Sequence, residues 1–334
     1  MSRIPVHAQG TWPTATFSRR AVATSALALP LLAALPDPTF ARAPSGALQA
    51  VTPLARIKIG RFEVTFLSDG FIDIPFAMFA GATAEQIEQA AASHFAARPN
   101  GIRSGFTVWL IRDGDKLVLV DSGPAGTVSK TSGRLPSALA AIGVRPEMID
   151  AVIVTHMHID HIAGLVAGER ANFPNAEVYI DRRDVAHFTD PAKAAVAPEF
   201  LKSSFAKAEQ LVTLYPRLQR IDGERQLSPG VSTVDLSGHT PGHTGVRIED
   251  SGQSLLLVGD MFWHPALHPH RPDLGIVFEA DKTAAEAMRR RFFPRAAEQK
   301  ALLAATHMPF PGLGRIVKDG GRLRWLAADW EYSE

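Results

Sequence analysis

Thr155-His156-Met157-His158-Ile159-Asp160-His161 follows directly on an apolar, β-branched run at residues 151–154. A strand that runs straight into three imidazoles and a carboxylate is a ligand set in the making, because imidazole and carboxylate are the donors that zinc, iron, manganese and cobalt accept. His156 and His158 alternate with Met157, so in an extended segment they face the same way and can share one ion. Asp160 and His161 then turn toward another. The chain contains no cysteine. Thiolate metal sites, disulfides and a cysteine nucleophile are therefore excluded together, and any metal has to be held by histidine and carboxylate.

Further histidines and acids stand at the ends of other apolar runs. Ser237-Gly238-His239-Thr240-Pro241-Gly242-His243-Thr244 is a loop shaped by glycine and proline that can aim an imidazole rigidly. Leu257-Val258-Gly259-Asp260 ends a strand in an aspartate, and Ala304-Ala305-Thr306-His307-Met308-Pro309 ends another in a histidine. Each alone is weak, since a strand-end aspartate is more often a turn residue, and a mononuclear site is the main rival at this point. Lys116 to Val120 and its sequel Asp121-Ser122-Gly123 supply one more strand end with a carboxylate.

Taken in chain order, these segments resemble the sequential motifs of the metallo-β-lactamase superfamily, and the resemblance covers the chain from about Arg56 onward. It implies an α/β (α+β) fold, the αββα four-layer sandwich. The likeness extends furthest with the methyl parathion hydrolases, through Arg61-Phe62-Glu63-Val64-Thr65, Ser68-Asp69-Gly70, Thr155 to His158 and His307-Met308-Pro309-Phe310-Pro311-Gly312. N-acyl-homoserine lactonases and hydroxyacylglutathione hydrolases share the metal motifs.

Carried over, the resemblance implies two divalent ions, zinc first, with manganese, cobalt or iron as alternatives. His156, His158 and His243 would hold one ion, Asp160, His161 and His307 the other, and Asp260 would bridge, with His239 structuring the loop and Asp121 orienting the site. A true β-lactamase is disfavoured, because those enzymes commonly use a cysteine ligand or lack the bridging aspartate. The expected chemistry is attack by a metal-bridging hydroxide on an ester, lactone or phosphotriester of a small molecule. Asp160 is the candidate catalytic residue for proton transfer, its rival role being that of ligand only. Phe188, Phe262, Trp263 and Phe278 are candidates for an aromatic wall, while Val128 stands where the methyl parathion hydrolases have an aromatic side chain. His264 is the candidate for touching substrate, with His187, His268 and His270 read as solvated loop residues. The alternatives are a di-iron redox member of the same fold, which would call for a flavin domain or cysteine-based partner site, and a metal-binding protein without catalysis.

The rest of the sequence sets the frame. Its 334 residues are 46% hydrophobic and 21% charged, ordinary globular usage, with 35 basic against 34 acidic residues. No basic run tracks a phosphate backbone, which argues against nucleic acid as a partner. Residues 1–47 have the layout of a twin-arginine export signal: Arg19-Arg20, an apolar run at residues 21–35 interrupted by Pro30, then Ala41-Arg42-Ala43. Pro44 would hinder cleavage there, so the cut is expected near Ala47. The expectation is a periplasmic or secreted protein without stable membrane insertion after signal removal, one domain over 48–334, and a homodimer left open. Strands are expected at 61–66, 107–111, 116–120, 151–154, 231–236, 245–248, 254–258 and 301–306, and a hairpin over 315–325. Helices are expected at 85–96, started by a Thr83/Gln86 capping box, at 135–142, at 192–214, and from a Thr283/Glu286 cap to about Arg295.

Overall fold

Strand Lys116–Val120 shows how the layers arise, since Leu117 and Leu119 point to one side of the sheet while Val118 and Val120 point to the other. Both faces being apolar, such a strand must be covered twice. The computed structural model describes residues 52–329 of the chain. The expected export segment lies outside these described residues.

The first sheet takes its main strands in chain order: Leu54–Ile59, Phe62–Ile74, Gly101–Asp113, Lys116–Val120, Ala151–Ile153, Glu177–Asp181 and Gln219–Ile221. The second runs Gln226–Ser228, Val231–Asp235, Thr244–Asp250, Gln253–Leu257, Leu302–Ala304, Leu313–Asp319 and Arg322–Ala327. Phe62, Val64, Phe66, Trp109 and Ile111 of the first sheet interdigitate with Val246, Ile248, Leu255 and Leu257 of the second in one core. On its outer face the first sheet packs Leu110, Leu119 and Val152 against Leu139, Phe205 and Leu211 from helices Leu135–Ala141 and Glu199–Leu214. The second packs Leu256 and Leu303 against Met288, Phe293 and Ala296 of helix Lys282–Glu298. The order helix, sheet, sheet, helix is the expected αββα sandwich. Each fully buried aliphatic or aromatic side chain contributes about 1.5–3 kcal/mol.

Local signals behave as read, with two exceptions. Thr83 caps helix Ala84–Ser93 in a capping box with Gln86. The helix expected over 192–214 is split into Pro191–Val196 and Glu199–Leu214, because Pro198 forces the preceding Ala197 into an extended conformation (ψ 140°). Helix Lys282–Glu298 is capped by Asp281, whose Oδ1 accepts from Ala284 N at 2.9 Å, and not by Thr283. In Ser68-Asp69-Gly70 the long strand bulges, and the buried Asp69 accepts hydrogen bonds from Gly133 N (3.0 Å) and Leu135 N. Gly70 there has φ +129°, and a Cβ would meet Thr131 O at 2.2 Å, so only glycine fits. Among the described residues no helix is long and apolar enough to cross a membrane.

Candidate metal centre

The donors emerge at one edge of the sandwich, where strands from both sheets end. Ala151–Ile153 leads into His156 and His158, and His158 in turn caps the short helix Ile159–Ile162 that carries Asp160 and His161. Gln253–Leu257 and Leu302–Ala304 are parallel neighbours, with Leu257 paired to Ala304, and lead to Asp260 and His307.

The side chains converge in two groups. His156 Nε2 lies 2.9 Å from His158 Nδ1, which lies 3.1 Å from His239 Nε2. Asp260 Oδ2 is 3.3 Å from that His239 nitrogen and 3.7 Å from His156 Nε2. In the second group, Asp160 Oδ2 is 3.6 Å from His161 Nε2 and 3.5 Å from His307 Nε2. Asp260 touches this group too, with Oδ1 at 3.1 Å from His161 Nε2 and Oδ2 at 3.0 Å from His307 Nε2. Within each group one atom per residue lies within 4.8 Å of the others. Asp260 therefore stands between the two, as a bridging carboxylate would.

Of the two loop histidines, the structure brings His239 and not the expected His243 into the first group. His243 has Nδ1 on Leu236 O (3.1 Å), while its Nε2 accepts from Asp260 N (3.2 Å). Both its nitrogens thus face backbone groups. His239 faces the centre instead. The sequence does hold a signal for this: His243 abuts strand Thr244–Asp250 and joins its backbone framework, whereas His239 occupies the free loop.

The outer nitrogens are held so that the inner ones face the cluster. His161 Nδ1 is 2.8 Å from Asp121 Oδ2, His307 Nδ1 donates to Gly105 O at 2.8 Å, and His156 Nδ1 is 3.1 Å from Thr155 Oγ1. Asp121 also accepts from Thr155 N and Thr155 Oγ1, both at 2.8 Å, so it orients the site without entering it.

Electrostatics agree with a cation site. Burial, reinforced by neighbouring imidazoles, holds His156 and His158 well below the usual histidine range, and burial takes His243 down to about 3. For His161 the burial penalty is outweighed by Asp260, Asp160 and Asp121, which push it up. At Asp260, burial is outweighed by His307, His161 and His156, which hold it ionised well below the usual carboxylate range. His161 Nε2 and Asp260 Oδ1 are buried without a hydrogen-bond partner. Buried, unpartnered atoms facing one another across 3.1 Å, on a donor set of imidazole and carboxylate, fit divalent metal ions.

A cavity of about 270 Å³ opens over the centre. Ile72, Ile74, Phe106, Val128, Phe200 and Phe278 make much of its wall, beside His158, Asp160, Asp260, Trp263 and His307. Trp263 stacks on His307 with ring centroids 4.1 Å apart and an interplanar angle of 7°. Trp263 and Phe278 thus take the expected wall positions, and Val128 lines the cavity as an aliphatic residue. Phe188 and Phe262 are corrected to core residues: Phe188 packs on Phe205 behind His158, and Phe262 on Phe293 and Trp325. Phe106 and Phe200 were not among the expected wall residues. His264 does not line the cavity either, since its Nδ1 accepts from Ala266 N at 3.1 Å within its own turn.

A family model described as the metallo-beta-lactamase superfamily matches residues 106–307. A probable metallo-hydrolase of Mycobacterium bovis is 25% identical over 183 residues, 47% of this chain and 56% of that protein. An N-acyl homoserine lactonase of Bacillus cereus is 28% identical over 127 residues, 37% of this chain and 43% of the lactonase. The matches thus span about half the length of these curated relatives. Among solved structures, the hydrolase AbOPH of the beta lactamase superfamily superposes with a TM-score of 0.79 at 27% identity, covering 85% of this chain and all of that one (100%). AidC, a dizinc quorum-quenching lactonase in complex with a product, gives a TM-score of 0.77 at 25% identity over 84% of this chain and 99% of its own.

Proposed function

Because this chain belongs to the metallo-β-lactamase superfamily, we propose that it is a binuclear metal-dependent hydrolase of small uncharged esters, lactones or phosphotriesters. The observation that carries the proposal is the pair of donor groups joined by one carboxylate, Asp260, beneath an apolar cavity.

His156, His158, His239 and Asp260 would hold one divalent ion, and Asp160, His161, His307 and Asp260 the other. Zinc comes first, as in the dizinc neighbour, with manganese, cobalt or iron as alternatives. Such a pair, when bound, would supply a hydroxide near neutral pH and polarise the bond under attack. The chain's own residues do the rest. Asp121, Thr155 and Gly105 fix the imidazoles so that their free nitrogens face inward. Asp160 keeps 18% side-chain exposure while Asp260 keeps 1%, so Asp160 is the more open carboxylate of the centre. Besides holding an ion, Asp160 would take up the proton released from the attacking water and hand it to the departing oxygen in the cavity.

The cavity narrows the substrate class. Among the described residues no lysine or arginine lines it, and Thr127, Ser203 and Ser204 are its polar residues there outside the donor groups. An anionic substrate would lose its hydration there without a cationic partner, whereas a neutral ester, lactone or phosphotriester with an apolar tail would gain from burial. The test is a substrate panel of acyl-homoserine lactones, aryl esters, a phosphotriester and a β-lactam on protein of known metal content. The expected result is about two ions per chain, hydrolysis of at least one neutral lactone, ester or phosphotriester, and loss of that activity with a chelator. Full activity in metal-free protein would refute the proposal.

A further inference from the structure

Asp184 belongs to none of the motifs above, yet it binds two of them together. It lies in helix Arg182–Phe188, wholly buried at 0% exposure. Its Oδ2 accepts from Met157 N at 3.0 Å and from Thr240 Oγ1 at 2.9 Å, and its Oδ1 accepts from Gly242 N at 2.6 Å. Met157 sits between His156 and His158, and Thr240 follows His239. A single carboxylate thus grips the backbone of the paired-histidine segment and the loop that presents the third imidazole.

The surrounding packing supports a tight spacing. A Cβ on Gly242 would lie 2.8 Å from Asp184 N and 2.9 Å from Asp181 Cβ, so the loop is pressed against the start of the helix. Arg183 adds a second tie, reaching Asp181 at 2.8 Å and, across to the other sheet's strand end, Asp235 at 3.2 Å. On the two segments that Asp184 joins, His158 Nδ1 and His239 Nε2 stand 3.1 Å apart. The partners of a charged acceptor are hard to replace, because an amide in its place would turn a donor toward one of the N–H or O–H groups.

We propose that Asp184 is a positioning residue: by holding the His156–His158 segment and the His239 loop at fixed separation, it sets the affinity of the ion position built from those three histidines. The position built from Asp160, His161 and His307 does not depend on it. This inference rests on the binuclear centre proposed above.

The test is a zinc titration of metal-stripped full-length protein against a chromophoric chelator, comparing the wild type with Asp184→Asn. The expected result is one binding step weakened about 10–100-fold, the range for residues that orient metal ligands, and the other unchanged. Thr240→Val, which removes one of the three donors, serves if Asp184→Asn does not fold. It should weaken the same step by a smaller factor, while Thr240→Ser, which keeps the hydroxyl, restores wild-type binding. A role confined to fold stability would lower the melting temperature and leave both steps at wild-type affinity, and that outcome overturns the inference. A wild-type protein that binds fewer than two zinc ions would instead remove the binuclear centre itself, and this inference with it.

Discussion

The two halves of the sandwich equip the centre in different ways. The first sheet delivers His156, His158, Asp160 and His161 on one continuous segment, through strand Ala151–Ile153 and helix Ile159–Ile162. The second delivers His239, Asp260 and His307 from three separate strand ends. On the first side a few backbone dihedrals fix the donors relative to one another. On the second side sheet register does so: Leu257 pairs with Ala304, and slipping that parallel pairing by a residue would carry Asp260 away from His307. One arrangement is local chemistry, the other tertiary structure.

The largest expected effect breaks the second side where it meets the first. Asp260→Asn should remove the bridging carboxylate, lower metal content well below two ions per chain and cut hydrolysis by about 10³-fold or more, read by elemental analysis and initial rates. Retention of both ions would mean that the halves bind metal independently. Next come the loop histidines. His239→Ala should lose one ion and about 10²–10³-fold in rate, since one ligand position empties. His243→Ala should keep both ions and lose about 1–3 kcal/mol in denaturant unfolding, because Asp260 N and Leu236 O lose their buried partner. The opposite pattern would restore His243 as the ligand.

Asp121→Asn sharpens the comparison on the first side. It withdraws the acceptor that faces His161 Nδ1 and should weaken the ion held by Asp160, His161 and His307 about 10–100-fold in a chelator competition. The smallest effects belong to the cavity mouth. Phe200 comes from helix Glu199–Leu214 packed on the first sheet, and Phe278 from the loop before helix Lys282–Glu298, with ring centroids 5.3 Å apart. Phe200→Ala or Phe278→Ala should raise KM several-fold with kcat nearly unchanged, as loss of uniform apolar binding does. A fall in kcat of the same size would place these rings in the chemistry.

What the sequence discloses follows the same division. The layers and the histidine-rich segment were legible because period-two alternation in Lys116–Val120 and the spacing of His156, His158 and His161 are local properties. His239 was legible only in part: that His243 abuts strand Thr244–Asp250 is a local signal, but which imidazole turns inward also depends on how the loop leaves its strand and on its ties to Asp184. The wall aromatics were mixed for a related reason. Phe188, Phe262 and Phe278 are equally apolar in sequence, and only the packing of helices over the sheets sends the first two inward to Phe205 and Phe293. Phe200 was hidden by the split at Pro198, which turns one expected helix into two and brings the second one's first turn to the cavity.

The stacking of Trp263 on His307 gives the molecule an optical use. An indole lying flat on an imidazole proposed to hold an ion would be electronically close to whatever that imidazole binds. Manganese, cobalt or iron, with unpaired d electrons, would dim its emission, while closed-shell zinc would leave it bright. Native fluorescence, followed while a stripped sample is reloaded, would then distinguish the classes of ion without any label.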